Sequence, residues 1–430
     1  MANHRHCDLV QRNEEPMNTI TTSMQHVEVA VRDLHLGMYV SELDIPWLES
    51  PFLFQGFIID SREQLDQLNQ VCKSVKVDMR LSSDKPATDW DHVADDEYEI
   101  SVERELRAAN DVRGSARQLV EDMFRQIERG RGIDGDAIQA TVRDTVDSVM
   151  RNPDAMVLLT QMKNKDNYTA EHCMNVSVLT AAFARFQGKP RREIEEAAYC
   201  ALLHDIGKIR VPDAVLHKQG RFNTEELALM RSHTEHGRDV LRASHSVIKP
   251  AIDVALAHHE RIDGKGYPHA LPRDIIPHTA RLVAVTDAYD AITSARCYQG
   301  AVSSFDALQI MYKERETHFD GPLMERFIEF MGVYPPGSIV EMSNGEVGIV
   351  LSVHPKHKLE PRVLLVRNRF QEPSQERIVD LQHRAVDSTR DSYRIDSTHA
   401  NGSFGIDVKY YLKRGLHASG FLGAANNLHA

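Results

Sequence analysis

His258-His259-Glu260-Arg261-Ile262-Asp263-Gly264-Lys265-Gly266-Tyr267-Pro268 is the stretch around which the chain is organised. Two adjacent imidazoles end an apolar, helix-like run carrying Ile252, Ala255 and Leu256, then pass into a loop whose glycines and proline cannot continue a helix. Neutral imidazole is the commonest biological metal ligand, and paired histidines at a helix end can hold one ion while the loop closes over what that ion binds. A lone His-His pair reads more simply as a polar helix end and a surface loop. The rest of the chain decides between the two.

Working outward, further metal-capable residues fall in or beside apolar helical runs. His172 precedes Val176, Leu179 and Phe183; His204-Asp205 follows Ala197, Ala201 and Leu202; Asp287 follows Leu282, Val283, Ala284 and Val285. His233 has His236 as an alternative one turn away. Singly, each is better read as a hydrogen-bonded core residue, a cap or a solvated group. Polar groups set against a core face must be satisfied, so several segments doing this together point to one buried centre. After His204-Asp205, Gly207 is read as ending the helix and Lys208 as returning toward the carboxylate, an arrangement suited to an anion beside a metal.

Composition sets the frame. With 430 residues and 42% apolar content the chain can bury one large core or two to three smaller ones. No run approaches the roughly 18 apolar residues of a membrane span, and the first 24 residues lack the hydrophobic centre of a signal peptide, so the expected compartment is the cytoplasm without membrane insertion. Five cysteines without a C-x-x-C pair indicate buried thiols rather than a disulfide framework. A net charge of −12 argues against binding to DNA or RNA polymers, and an anionic substrate then needs a local cation such as bound metal.

In chain order, residues 1–24 read as a disordered lead. Residues 25–81 read as a small α+β domain with short β runs (Val27 to Val31, Met38 to Val40, Phe57 to Ile59, Val75 to Val77) and one helix opened by Ser61-x-x-Gln64. An acidic linker, 82–100, leads to helices over 101–150 that either pack within the chain or pair two subunits as a homodimer. An all-α core follows over 151–335, opened by Asn152-Pro153. Residues 336–384 read as a β-rich appendage with a hairpin at Asn344-Gly345, and 385–430 as a flexible tail. The fold class is multidomain with an all-α core between a small α+β domain and a small β-rich piece.

Leu203-His204-Asp205-Ile206-Gly207-Lys208-Ile209, with His258-His259-Glu260-x-x-Asp263-Gly264-x-Gly266-Tyr267-Pro268, resembles the HD-GYP subgroup of HD-domain metal phosphohydrolases. The flanking text agrees: Tyr168-Thr169-x-x-His172, Val211-Pro212-Asp213, Ser232-His233-x-x-x-Gly237, and Asp287-Ala288-Tyr289-Asp290-Ala291-Ile292-Thr293-Ser294. The resemblance covers about residues 150 to 335, and Leu36-Gly37-Met38-Tyr39-Val40 also resembles an uncharacterised domain that often precedes HD-GYP modules in bacteria.

The resemblance implies an HD-type helical core, a centre of two divalent metal ions, iron or manganese, and hydrolysis of cyclic di-GMP to pGpG, GMP or both. By position it assigns His172, His204, Asp205 and Asp287 to one metal, and Asp205, His233, His258 and His259 to the other. Asp205 is the bridge, because a carboxylate offers two oxygens to two cations. Lys208 is expected to stabilise charge on the phosphate, while Gly264, Gly266, Tyr267, Pro268 and Arg296 are expected to meet substrate. Without the resemblance the loop residues only shape a turn and Arg296 is a surface arginine.

Two positions depart from the family. Tyr168 stands where some members carry a glutamate for a third metal, so two metals are expected; Gln299 stands where a lysine or arginine is frequent. Two alternatives stay open: a catalytically weak cyclic di-GMP sensor or adaptor that docks a diguanylate cyclase, and an HD hydrolase of another nucleotide.

Overall fold

The computed structural model describes residues 26–45, 57–59, 62–78, 100–162, 168–218, 220–244, 246–294, 302–354, 357–383, 393–414 and 421–422. The chain divides into two compact units, Met1–His92 and Val93–Ala430. In the first, strands β1 (His26–Ala30), β2 (Tyr39–Leu43), β3 (Phe57–Ile58) and β4 (Ser74–Asp78) form an antiparallel sheet in the order β1-β4-β2-β3. Alternating valines set its register, Val27 opposite Val77 and Val29 opposite Val75. Helix α1 (Arg62–Val71) contributes Leu68 to a core with Val40, Ile59, Val75 and Val77. Ser61, the expected cap, and the expected acidic linker lie outside the described residues, apart from Ile100.

The second unit begins with helices α2 (Val102–Glu128) and α3 (Gly135–Arg151). They pack within the chain: buried Glu105 of α2 accepts from Ser148 and Arg151 of α3, at 2.6 Å from Ser148 Oγ and 2.7 Å from Arg151 Nη2. The helical core continues through α4 (Pro153–Leu159), α5 (Tyr168–Phe186), α6 (Arg191–Leu203), α7 (Asp213–Leu216), α8 (Thr224–Arg231), α9 (His233–Arg242), α10 (Lys249–Ala257), α11 (His278–Thr293), α12 (Ser304–Lys313) and α13 (Gly321–Met331). Asn152 caps α4 with Pro153 in the first turn, and Asn223 with Glu226 forms a reciprocal capping box on α8. Helices α5 and α11 carry buried residues on most sides, including Val176, Leu179, Phe183, Leu282, Val283 and Val285, as expected of helices at the centre of a bundle. Polar groups on these two helices therefore face protein rather than water.

The C-terminal sheet, β5 (Ile339–Met342), β6 (Val347–Ser352), β7 (Arg362–Arg367), β8 (Pro373–Asp380), β9 (Ile395–His399) and β10 (Phe421–Leu422), runs in the order β10-β8-β7-β6-β5-β9. Gly345, at φ +83°, makes the β5–β6 turn. The sheet is fastened to the helices where Asp154 accepts from the Val353 N–H at 2.9 Å and Arg362 pairs with Glu103 at 2.7 Å.

The reading of 385–430 as a flexible tail is corrected over 393–414, which supplies β9 at the sheet edge and a further helix, α14 (Val408–Arg414). An edge strand reading Ile-Asp-Ser-Thr-His is held by backbone pairing with β5 and carries no apolar alternation to betray it. Among the described residues no helix is long and apolar enough to cross a membrane, and Cys72, Cys173 and Cys200 are buried free thiols.

Candidate metal centre

Helix ends of the core build the site. His204 caps the C-terminus of α6 and Asp205 follows it, His258 caps α10 and His259 follows it, His233 opens α9, and His172 and Asp287 project from the buried α5 and α11. A carbonyl oxygen has two lone pairs and those in the last turn of a helix keep spare acceptor capacity, which the histidines use. The Nδ1–H of His204 donates to Ala201 O at 2.7 Å, that of His233 to Met230 O at 2.7 Å, and that of His258 to Val254 O and Ala255 O at 3.1 Å. A carbonyl only accepts, so these bonds fix the tautomer and leave each Nε2 lone pair bare and aimed inward.

These lone pairs converge on two groups: Asp205, His233, His258 and His259, and His172, His204 and Asp287, the ligand atoms of each lying within 4.8 Å of one another. Asp205 is also shared with the second group. Its Oδ1 lies 3.3 Å from His233 Nε2 and 3.8 Å from His258 Nε2, while its Oδ2 lies 3.5 Å from His172 Nε2 and 3.3 Å from His204 Nε2. His172 Nε2 is 2.9 Å from Asp287 Oδ1.

The polar balance at this centre fits cations. His233 Nε2 and His258 Nε2 face one another at 3.3 Å although each ring has already committed its Nδ1–H to a carbonyl. Buried His204 Nε2 and Asp205 Oδ1 have no hydrogen-bond donor among the described residues. Burial, with neighbouring histidines, holds His258 well below its ordinary range and lowers His233, and burial takes His259 to about 3, so these rings are neutral ligands at physiological pH. Burial alone would raise Asp205, but Lys208 and His204 outweigh it and hold the carboxyl well below the usual range; Asp287 is likewise lowered against burial by His172. Lys208 Nζ sits 2.5 Å from Asp205 Oδ2. Bare lone pairs and ionised carboxylates facing one another in a buried space form a donor set that could hold a cation.

The glycines have definite reasons. A Cβ at Gly207 would lie 1.9 Å from His233 O and 2.3 Å from Gly237 N, so the turn carrying Asp205 and Lys208 touches the α9 backbone directly. Gly207 does not end the helix, as its position suggested: α6 stops at Leu203, and Gly207 lies inside a 3-10 turn, Ile206–Arg210, and is small because α9 is so close. In the loop, Gly264 has φ +70°, and a Cβ at Gly266 would lie 2.3 Å from Arg261 N. Buried Glu260 pins the loop by accepting from His269 N at 2.7 Å and Leu271 N at 2.9 Å. The Tyr267 ring, followed by Pro268, stacks on His259 at 4.7 Å, and the Arg231 guanidinium lies 4.9 Å from the Tyr267 ring centre.

Sequence reasoning missed Asp290, whose Oδ2 takes the His172 Nδ1 at 2.8 Å while its Oδ1 accepts from Asn175 at 3.1 Å. The signal was present: Asp287 and Asp290 stand three apart on α11, hence on one face. Glu171 turns away from the metal ligands toward buried Arg113, 3.7 Å off. Arg296 and Gln299 lie outside the described residues. Beside the centre is a cavity of about 330 Å³ whose lining includes His258, His259, Asp287, Glu314, His318 and Phe319.

Residues 153–323 match the HD domain family, and residues 26–138 match a domain of unknown function, DUF3391. A cyclic di-GMP phosphodiesterase of Pseudomonas aeruginosa is 35% identical over 366 residues, covering 82% of this chain and 88% of that protein. The cyclic di-GMP phosphodiesterase response regulator RpfG of Xanthomonas campestris pv. campestris is 38% identical over 157 residues, or 36% of this chain and 42% of RpfG. The 3′3′-cGAMP-specific phosphodiesterase 2 of Vibrio cholerae is 30% identical over 173 residues, or 40% of this chain and 33% of that protein. Similarity to the Pseudomonas protein along most of both lengths, joined to a centre built around His204-Asp205 and the Gly-Tyr-Pro loop, makes this chain a member of the HD-domain cyclic di-GMP phosphodiesterases of the HD-GYP subgroup.

Proposed function

We propose that this chain hydrolyses cyclic di-GMP in the cytoplasm, using two divalent metal ions, iron or manganese, and releases pGpG, GMP or both. The observation that carries the reading is Asp205, which turns one oxygen to His233 and His258 and the other to His172 and His204. His172, His204, Asp205 and Asp287 would hold one ion, and Asp205, His233, His258 and His259 the other. When bound, such a pair supplies Lewis acidity toward the phosphate and eases ionisation of the attacking water.

The protein's own groups do the positioning. The carbonyl-anchored Nδ1–H groups fix the imidazoles, so no reorganisation is needed when charge develops. Lys208, kept protonated by Asp205 despite burial, meets the negative charge of the phosphate as the water oxygen bonds to phosphorus, the P–O3′ bond breaks and the ribose oxygen takes up the proton that the water releases. Gly264 and Gly266 shape the loop so that Tyr267, seated on His259 with Arg231 over its ring, presents its edge to substrate, with Pro268 closing the loop and Arg296 adding a phosphate contact.

A second reading, hydrolysis of 3′3′-cyclic GMP-AMP, is favoured by the Vibrio relative of that specificity. The test is turnover of both dinucleotides by anaerobically purified protein loaded with Fe(II) or Mn(II), with products resolved by chromatography. Cyclic di-GMP cleaved in preference supports the first reading, and cyclic GMP-AMP in preference supports the second. Binding without cleavage would replace both with a sensor that docks a partner such as a diguanylate cyclase.

A further inference from the structure

The cavity beside the metal centre contains more than metal ligands. Its inner side is His258, His259 and Asp287; its outer side comes from the end of α12 and the turn after it, with Glu314, His318 and Phe319, and from the apolar side chains of Ile292 and Ile310. The rings of His318 and Phe319 are stacked, 4.3 Å apart and 5° from parallel. Glu314 is the carboxylate in the lining besides Asp287, which belongs to the metal ligands. The turn is joined to the loop of the site, since the Asp263 N–H donates to Thr317 O at 3.0 Å, and Thr317 Oγ1 lies within donating distance of both Glu314 O, at 3.0 Å, and Glu314 Oε2, at 3.1 Å.

A flat aromatic surface, an apolar wall and one carboxylate are the parts from which a nucleobase pocket can be built. Bases stack on aromatic rings whatever their identity, so the His318–Phe319 pair provides affinity without choice. Choice comes from Glu314. The Watson–Crick edge of guanine carries two adjacent donors, N1–H and the N2 amino group, which a carboxylate can accept side by side; adenine offers an acceptor at N1 and no amino group at C2. A volume of about 330 Å³ is at the lower end for ligand pockets, suited to one nucleotide half of a cyclic dinucleotide.

Resting on the phosphodiesterase reading above, we propose that Glu314 is a specificity-determining residue that seats one guanine of the substrate beside the metal centre, with the His318–Phe319 pair as its stacking platform. Anchoring one base fixes which phosphodiester reaches the metals. For cyclic di-GMP the two are equivalent by symmetry, and for 3′3′-cyclic GMP-AMP they are not. The mixed dinucleotide is therefore opened at a single bond and yields one linear isomer.

The experiment uses the metal-loaded full chain with cyclic di-GMP, cyclic di-AMP, 3′3′-cyclic GMP-AMP and bis(p-nitrophenyl) phosphate, an ester without a base. In Glu314→Ala the ratio of kcat/KM for cyclic di-GMP to that for the nitrophenyl ester falls about tenfold, through KM. This is the lower end of the range for a charged hydrogen bond, because the carboxylate is exposed. The same variant turns the single linear isomer from cyclic GMP-AMP into a mixture, and Glu314→Gln, which keeps one acceptor, lies between. Thr317→Val removes the supporting side-chain bond and changes the ratio by less than about threefold. An unchanged ratio in Glu314→Ala, a mixture of isomers from the unaltered protein, or equal turnover of cyclic di-AMP overturns the assignment. Failure of the unaltered protein to cleave any dinucleotide while cleaving the nitrophenyl ester overturns instead the functional reading on which it rests.

Discussion

Gly207→Ala replaces one hydrogen by a methyl group at the tightest backbone contact of the site. The new Cβ would lie 1.9 Å from His233 O, 2.3 Å from Gly237 N and 2.9 Å from Gly237 Cα, all backbone atoms that no side-chain rotation can move. Contacts of this kind are not found below 3.0 Å, so the turn and α9 must separate by at least about 1 Å. That separation moves Asp205 and Lys208 relative to His233, the group meant to share an ion with Asp205. Overpacking of this size costs about 1–3 kcal/mol of stability. A misplacement of about 1 Å within a reacting constellation costs about 100-fold in turnover. The assay is metal content by elemental analysis, cyclic di-GMP turnover and thermal unfolding on one preparation. The expected result is a folded protein short of metal and about 100-fold slower. Gly237→Ala is the control, since its Cβ would meet Ala255 Cβ at an ordinary 3.4 Å and activity should stay within about twofold. A Gly207→Ala protein with full metal content and turnover within threefold of the parent would refute the packing argument.

Other outcomes follow from other contacts. Asp290→Asn keeps the size but removes the carboxylate facing His172 Nδ1, so metal affinity measured by competition with a chelator should fall about 10- to 100-fold with little change in fold; unchanged affinity would remove Asp290 from the positioning network. Glu260→Ala frees the His269 and Leu271 N–H groups, and faster hydrogen exchange confined to the loop, with a raised KM, is expected; exchange unchanged there would mean Glu260 does not hold the loop. Burial pushes the Asp154 carboxyl up to about 7, against the Val353 N–H, Arg185 and Lys358. The unfolded chain ionises Asp154 near pH 4 and the folded chain only near pH 7, so this group subtracts stability progressively as pH rises through that window and by a constant amount above it. Asp154→Asn retains an acceptor for Val353 N–H, so its Tm advantage over the parent should grow between pH 4 and 7 and then level; parallel Tm profiles would contradict the assignment.

What the sequence disclosed follows from the kind of interaction. The residues that could hold metal were legible because each is a polar residue set in or beside an apolar helical run, and the structure brings His172, His204 and Asp287 into one group and Asp205, His233, His258 and His259 into another. The helical core was legible through its caps, as at Asn152-Pro153 and Asn223-x-x-Glu226, where one residue type satisfies specific orphan N–H groups. What escaped depends on proximity between distant segments. Nothing local in Ile206-Gly207-Lys208 says that α9 passes within contact of Gly207, so a helix stop was the natural reading. Asp290 supports a ligand on another helix, and Glu260 holds amides nine and eleven residues on, roles that require the folded loop. Residues 393–414 escaped because backbone pairing, not an apolar face, holds β9 in place. Arg296 and Gln299, which bear on phosphate contact, lie outside the described residues.

If Asp205 joins two metal ions into one hydrolytic centre, metal stoichiometry with cyclic di-GMP turnover for the parent and Asp205→Ala, both loaded anaerobically with Mn(II) or Fe(II), reads it directly. Two ions per chain and turnover are expected in the parent, with both ions and all turnover lost in Asp205→Ala. Near-normal turnover in the variant, or loss of one ion with the other fully retained, would contradict it.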